Sequence, residues 1–358
     1  MIVALMISPS LPLGIGFHAV GAFLAANCYA PQKYVKGWAW EIFWMTQAAW
    51  CWLLWPVIGA VLTIPHLSSV LLEAPPGRML SAFLMGVAYG VGGTAFNISI
   101  RYIGFALTYS IAVGLSSVLG TLVPPLVRGE VGAILQRPGA AWVLLGIAAG
   151  AAGIAICGVA GRLKERSLDA SSGKASEFSL SKGLALSLVA GVLSAVYGLA
   201  LEVAAPVANL AEQYGAGIWK GNVSYLFVNT GAFLTSLLYS LYLARRDRTI
   251  AELLRLPRDP GGQKLASNHI FALLTGTLWY GQFFFYNLGH VRLGAQYAFS
   301  SWAIHMILLV LLSNLLALIF REWRGCSGRT RLVMGAGIVV LCAAVLMLTY
   351  GNRLAGVS

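Results

Sequence analysis

Trp279-Tyr280-Gly281-Gln282-Phe283-Phe284-Phe285-Tyr286-Asn287-Leu288-Gly289-His290, continued by Gln296-Tyr297, Ser300-Ser301-Trp302 and His305, is the stretch that governs how this chain reads. It is too apolar for a soluble surface. It is also too rich in Gln, Asn, Ser, Tyr, Trp and His for spans that face only lipid. In a bilayer every such polar group must meet protein, water or a ligand, so a cluster on two consecutive spans points to a lined cavity. The expected occupant is a small, polyol-like solute.

Hydrophobic residues make up 58% of the 358 positions and charged residues 10%, with a mean hydropathy of +0.78. Those values describe an all-α polytopic membrane protein in contact with lipid. The apolar run from Leu11 lacks a basic region before it and a small-x-small cleavage site, so it is expected to be the first span rather than a cleaved signal. The net charge of +12 does not imply nucleic acid as a partner, because the Lys and Arg residues sit in short loops between apolar spans. The five cysteines show no CxxC or Cys/His spacing, which leaves no basis for a disulfide framework or a metal site. No nucleophile elbow, HExxH, P-loop or dinucleotide fingerprint is present. The chain is therefore expected to be no enzyme and to need no cofactor, and any transport it performs should use a gradient or exchange.

Ten apolar stretches are long enough to cross about 30 Å of hydrocarbon. They are Leu11–Ala30, Trp40–Ile64, Met79–Ser99, Ile103–Pro125, Ala140–Gly161, Gly183–Ala204, Val223–Leu243, His269–Leu288, Ala295–Phe320 and Leu332–Tyr350. Arg101 and Arg292 are expected in very short turns. Three of every four of the 24 Lys and Arg residues follow spans 1, 3, 5, 7 and 9. That side is then cytoplasmic and both termini lie outside, in the periplasm of a Gram-negative cell. The polar segment 162–182 divides the chain into five-span halves, 1–161 and 183–358. An odd number of spans per half forces opposite orientations, which is the arithmetic of two inverted repeats. A faint trace survives at an offset of 190 residues, where Ala82, Leu84, Gly86, Asn97, Gly104, Ser110, Leu119 and Leu122 match Ala272, Leu274, Gly276, Asn287, Gly294, Ser300, Leu309 and Leu312. Small residues such as Gly86, Gly90, Gly92 and Gly93 in span 3 and Gly146, Gly150 and Gly153 in span 5 suit close helix packing.

Glu202 shares a face of span 6 with Ser194, Tyr197, Gly198 and Leu201. It is either a proton carrier or a carboxylate solvated at the outer interface near Pro206. His305 shares a face with Tyr297 and Ser301, and His18 lies about a third of the way into span 1. Hydrogen bonding to substrate is the leading reading for both histidines, with proton transfer behind it. Trp302 lies well inside span 9, where its flat ring suits the C–H face of a sugar, whereas Trp38, Trp40 and Trp219 suit the interfacial belt. Gln282, Asn287, Gln296 and Asn229 are amides able to read hydroxyls. Glu41 suits the N-terminus of span 2.

Over nearly its whole length the chain resembles the L-rhamnose–proton symporter family of the drug/metabolite transporter superfamily. The resemblance rests on Cys28-Tyr29-Ala30-Pro31 with Lys33, Val35-Lys36, Trp38, Trp40-Glu41 and Trp44; on Arg101-Tyr102, Gly104, Gly120-Thr121-Leu122 and Pro125; and on Leu163-Lys164-Glu165-Arg166. It extends through Gln282-Phe283-Phe284-Phe285-Tyr286, Gly289-His290, Ala295-Gln296-Tyr297, Ser301-Trp302 and His305-Met306, and closes at Glu322-Trp323. The resemblance implies ten transmembrane helices as two inverted five-helix repeats in the bacterial inner membrane, importing a deoxy sugar with a proton. Within that frame the residues read above are expected to serve as follows: substrate at Gln282, Tyr286, Gln296, Tyr297, Ser301, Trp302, His305, His18 and Phe284, and proton coupling at Glu202, His305 and His18. Family members commonly carry an acid after the Ala-Gln-Tyr run, where this chain has Ala298. They usually carry an amide at the position of Glu202, and Asn residues where Gly93 and Ala95 stand. The titrating carboxyl is thus expected to have moved from span 9 to span 6. An exporter or exchanger of another small metabolite is the alternative.

Overall fold

A computed structural model of the chain describes residues 10–172, 179–255, 264–294, 300–319, 321 and 323–356. Among these, regular structure is helical throughout. The first helices are α1 (Leu11–Asn27), α2 (Trp40–Ala48), α3 (Trp55–Thr63), α4 (Leu67–Glu73), α5 (Pro76–Ile103), α6 (Phe105–Val127) and α7 (Val131–Leu135). There follow α8 (Ala140–Ser172), α9 (Leu180–Val203), α10 (Ala205–Gln213), α11 (Asn222–Arg246), α12 (Leu265–Leu293), α13 (Ser301–Ile319) and α14 (Gly328–Gly356). Nine helical segments among the described residues are long and apolar enough to cross a bilayer. The 29-residue α12 is not among those nine. At about 1.5 Å per residue it runs about 43 Å, ample for a crossing, but Asn268, His269, Thr275, Gln282, Asn287, His290 and Arg292 dilute its apolar character. Large aliphatic side chains such as Leu72, 86% exposed, and Leu62, 78% exposed, face outward, as suits a surface solvated by lipid. The chain is a polytopic α-helical membrane protein.

Several helix ends differ from the sequence expectation, each for a local reason. Arg101 and Arg292 do not lie in turns but inside α5 and α12. The breaks come at Gly104 and Gly294, whose φ angles of +83° and +77° only glycine adopts without strain. These two positions belong to the matched pairs at the 190-residue offset. Helix α8 does not stop at Gly161 but continues to Ser172, because Arg162, Lys164, Glu165 and Arg166 are strong helix formers and Arg162 pairs with Glu165 at 3.5 Å. The second span is not one regular helix. A π-helical turn over Ala49–Leu54 joins α2 to α3.

Gly104 carries a double constraint, since a β-carbon there would also fall against the Glu165 carboxyl carbon at 2.8 Å. Gly104→Ala should therefore cost more than the ~1–2 kcal/mol of left-handed backbone strain, seen as a lower midpoint of thermal unfolding in detergent. An unchanged midpoint would show that the turn relaxes to another conformation.

The helices form two compact units, each drawing on both halves of the sequence. The first comprises Met1–Phe23, Gly92–Leu199 and Leu288–Ser358; the second comprises Leu24–Val91 and Ala200–Asn287. In the first, α8 and α14 are drawn together by glycines. A β-carbon at Gly146 would meet Leu348 at 2.8 Å, and one at Gly153 would meet Leu341 at 2.8 Å. A hydroxyl network of Ser99, Thr108 and Ser187, with bonds of 2.7 to 3.1 Å, ties α5, α6 and α9. In the second unit, α5 crosses α11 with backbone nearly touching backbone: a β-carbon at Gly86 would strike the Val228 carbonyl, and one at Gly231 the Phe83 carbonyl. Ala60, Ile64, Val70, Val207, Ala211 and Val223 fill one end of that unit. Glu41, in the first turn of α2, accepts a hydrogen bond from the Thr249 hydroxyl.

Candidate functional site

In the first unit the polar residues converge on His18. Helix α13 places Ser301 and His305 one turn apart on a common face, and α1 brings His18 against both. The Nε2 of His18 lies 2.9 Å from the Ser301 hydroxyl, and the two imidazole centroids are 5.7 Å apart at 65°. All three residues are buried. Glycine at position 289 makes room for them, because a β-carbon there would sit 2.9 Å from the His18 ring. Two imidazolium rings at this spacing would repel by about 3 kcal/mol at an effective dielectric of about 20. The serine hydroxyl can donate to or accept from Nε2, which allows the hydrogen bond to persist in either tautomer of His18.

Trp302, next along α13, is fixed by the helices around it. Its indole Nε1 donates to the Ser116 carbonyl at 3.0 Å. A β-carbon at Gly120 would lie 2.5 Å from that nitrogen, and one at Gly198 would lie 3.8 Å from the ring. The ring thus wedges among α6, α9 and α13. Ser300 is held to Asn352 of α14 by a hydrogen bond of 2.9 Å, which fixes the start of α13. Gln296, Tyr297 and Ala298 lie outside the described residues.

The other expected residues fall in the second unit. Thr275, Trp279, Gln282 and Tyr286 recur along α12 at four-, three- and four-residue intervals, so they form one stripe. Thr275, Gln282 and Tyr286 are buried, and Trp279 is half-buried. Phe284 points elsewhere, stacked on Trp219 at 5.2 Å, which gives Trp219 an internal partner. Asn287 packs on Gly221 and donates to the Ile218 carbonyl at 3.4 Å. Glu202 is exposed in the last turn of α9, just before Pro206 enters α10. The structure therefore joins His18, Ser301 and His305 in one cluster of the first unit and sets Gln282 and Tyr286 on one stripe of the second; within the first unit Trp302 packs on α6 and α9, and within the second Phe284 packs on Trp219 and Glu202 is exposed.

Sequence reasoning passed over a group beside the α12 stripe. Trp279 meets Trp44 and Trp52 edge to face, with centroids 5.6 and 5.3 Å away, and Trp44 meets Trp52 at 6.1 Å. Trp52 belongs to the π turn. The available signal was the recurrence of tryptophan at 40, 44 and 52 within a single span. Its significance depends on α12 lying alongside.

The comparison with known proteins bears on the whole chain. Residues 7–353 match the family model described as L-rhamnose-proton symport protein. This chain belongs to that family. Among the curated relatives of the L-rhamnose-proton symport family, a protein of Cronobacter sakazakii named L-rhamnose-proton symporter is 32% identical over 345 residues. The match covers 96% of this chain and 99% of the relative. One of the same name from Pectobacterium atrosepticum is 32% identical over 337 residues, covering 93% and 96%. Another from Salmonella paratyphi A is 31% identical over 345 residues, covering 96% and 99%. As a family of transporters, the L-rhamnose-proton symport proteins are not enzymes.

Proposed function

We propose that this chain imports L-rhamnose, or a closely related 6-deoxyhexose, together with a proton across the bacterial inner membrane by alternating access. The observation that carries the reading is the family match, which runs nearly end to end rather than over one motif. In this reading the ten spans, with α12 as the eighth, form inverted repeats over 1–161 and 183–358, and both termini are periplasmic. The corresponding helix breaks at Gly104 and Gly294 support such a repeat. Gln282 and Tyr286 on α12, with Gln296 and Tyr297, read hydroxyls, as do His18, Ser301 and His305. Phe284 and Trp302 supply apolar surface. Glu202 carries the proton, because Ala298 cannot titrate where the resemblance to the family implies an acid.

Proton and sugar must favour one another's binding for coupling to occur, so apparent sugar affinity should weaken as external pH rises through the carrier's titration. The test is external alkalinisation when L-rhamnose is added to de-energised cells carrying the wild type or Glu202→Gln. Alkalinisation in the wild type and its loss in the variant are expected. Labelled sugar entering without a proton would overturn symport, and no entry at all would turn the reading to export or exchange of another metabolite. Alkalinisation retained in Glu202→Gln would move the proton to the histidine pair.

A further inference from the structure

The second unit holds buried polar atoms that the fold itself leaves unmatched. Gln47, on α2, is fully buried, and among the described residues neither its amide oxygen nor its amide nitrogen has a hydrogen-bond partner. The same is true of the Trp52 indole nitrogen and the Thr275 hydroxyl, on residues that are 1% and 0% exposed. In a membrane protein such atoms are costly, since neither lipid nor bulk water completes them.

They belong to the segments along which α12 and the second span meet. Helix α12 is seated on this part of the second span through Gly276, where a β-carbon would be 2.8 Å from the Gln47 carbonyl and 2.6 Å from the Trp50 Cβ. Thr275 is the neighbour of Gly276 and shares the α12 stripe with Trp279, whose ring touches both Trp44 and Trp52. Trp52 itself sits in the π turn, a distortion of the kind often retained where a helix serves a site.

We infer that Gln47, Trp52 and Thr275, with the indoles of Trp44 and Trp279, form a hydroxyl-reading subsite for a neutral, ring-shaped polyol. The donor and acceptor inventory defines the ligand. Gln47 offers both a donor and an acceptor, Thr275 offers either, and Trp52 only donates, so the partner must present hydroxyls that serve both ways. None of the five side chains carries charge, which disfavours a carboxylate, a phosphate or an amine. The indole faces suit C–H bonds and a methyl group. Gln282, one turn beyond Trp279, extends the subsite along the same stripe. The inference rests on the sugar-import reading and adds five residues to it.

The test uses the full-length protein in detergent, with L-rhamnose as the probe, calorimetric titration for affinity and a parallel thermal-unfolding measurement. Gln47→Leu should raise the Kd at least about tenfold while leaving the unfolding midpoint equal or higher, because it removes unmatched polar atoms. A purely structural glutamine would show the opposite pair of results. Trp52→Phe, which keeps a ring and deletes the N–H, and Thr275→Val should each raise the Kd several-fold, and they decide the matter if Gln47→Leu does not fold. Titrated in turn, one of the monodeoxy analogues of L-rhamnose should bind the wild type and Gln47→Leu equally, and a constant ratio across all of them would overturn a hydroxyl contact at Gln47. Wild-type binding with unchanged affinity in all three variants overturns the subsite alone. A wild type that binds neither L-rhamnose nor any other neutral polyol overturns the sugar-import reading and the subsite with it.

Discussion

His305→Leu should lower kcat/KM for L-rhamnose by about a hundredfold while leaving the protein folded. The expectation combines two losses, each worth about tenfold or about 1.4 kcal/mol. One is the hydrogen bond from the ring to a sugar hydroxyl, and the other is the support that the ring gives to His18, whose centroid lies 5.7 Å away. His305→Gln separates hydrogen bonding from titration, since an amide can donate and accept but cannot take a proton at physiological pH. With the proton on Glu202, His305→Gln should keep alkalinisation and lose less than the leucine variant. Exchange of labelled sugar without alkalinisation in His305→Gln would instead route the proton through the His18–Ser301–His305 cluster. Wild-type transport in His305→Leu would remove the cluster from the mechanism.

The largest effect on the fold is expected where α5 crosses α11. At Gly86 and Gly231 a β-carbon would collide with carbonyl groups of the other helix, and backbone cannot turn aside as a flexible side chain can. Gly86→Leu should give no folded protein. Gly86→Ala and Gly231→Ala should each destabilise by about 3 kcal/mol, at the upper end of overpacking costs, read as a fall in the unfolding midpoint and in monodisperse yield. Because both substitutions push the same two helices apart, the double variant should cost less than the sum of the singles. An unchanged midpoint in either alanine variant would mean that the helices do not approach this closely.

Much of the fold was legible because a bilayer makes composition speak directly. Nine of the ten expected spans overlap segments that are apolar enough to cross a membrane, and the tenth, α12, stands out for polarity the sequence already displayed. The convergence of Ser301 and His305 followed from their helical spacing, and that of His18 from its depth in span 1. Helix ends were less legible. The cationic charge of Arg101 and Arg292 suggested turns, whereas the backbone breaks two or three residues later at glycines, where φ rather than polarity decides. The depth of Trp302 in its span was legible, whereas the hydrogen bond from its N–H to the Ser116 carbonyl, beside Gly120 on another helix, was not. The triangle of Trp44, Trp52 and Trp279 needed knowledge of which helices are neighbours, and no spacing within span 2 supplies that. Glu202 was readable as an acid near a helix end, while its exposure depends on the turn into α10.

The π turn over Ala49–Leu54 also fixes a register. It accommodates one residue more than an α-helix would use over the same length, so all that follows in α3 is rotated by about 100° from where a regular helix would place it. Trp55, which donates to the Thr277 hydroxyl at 2.9 Å, and Gly59, over which the Tyr280 hydroxyl rests, both depend on that offset. Deleting a single residue from the turn would straighten the helix and carry both positions away from α12. A relative whose alignment shows a one-residue gap here must meet α12 with a different set of side chains.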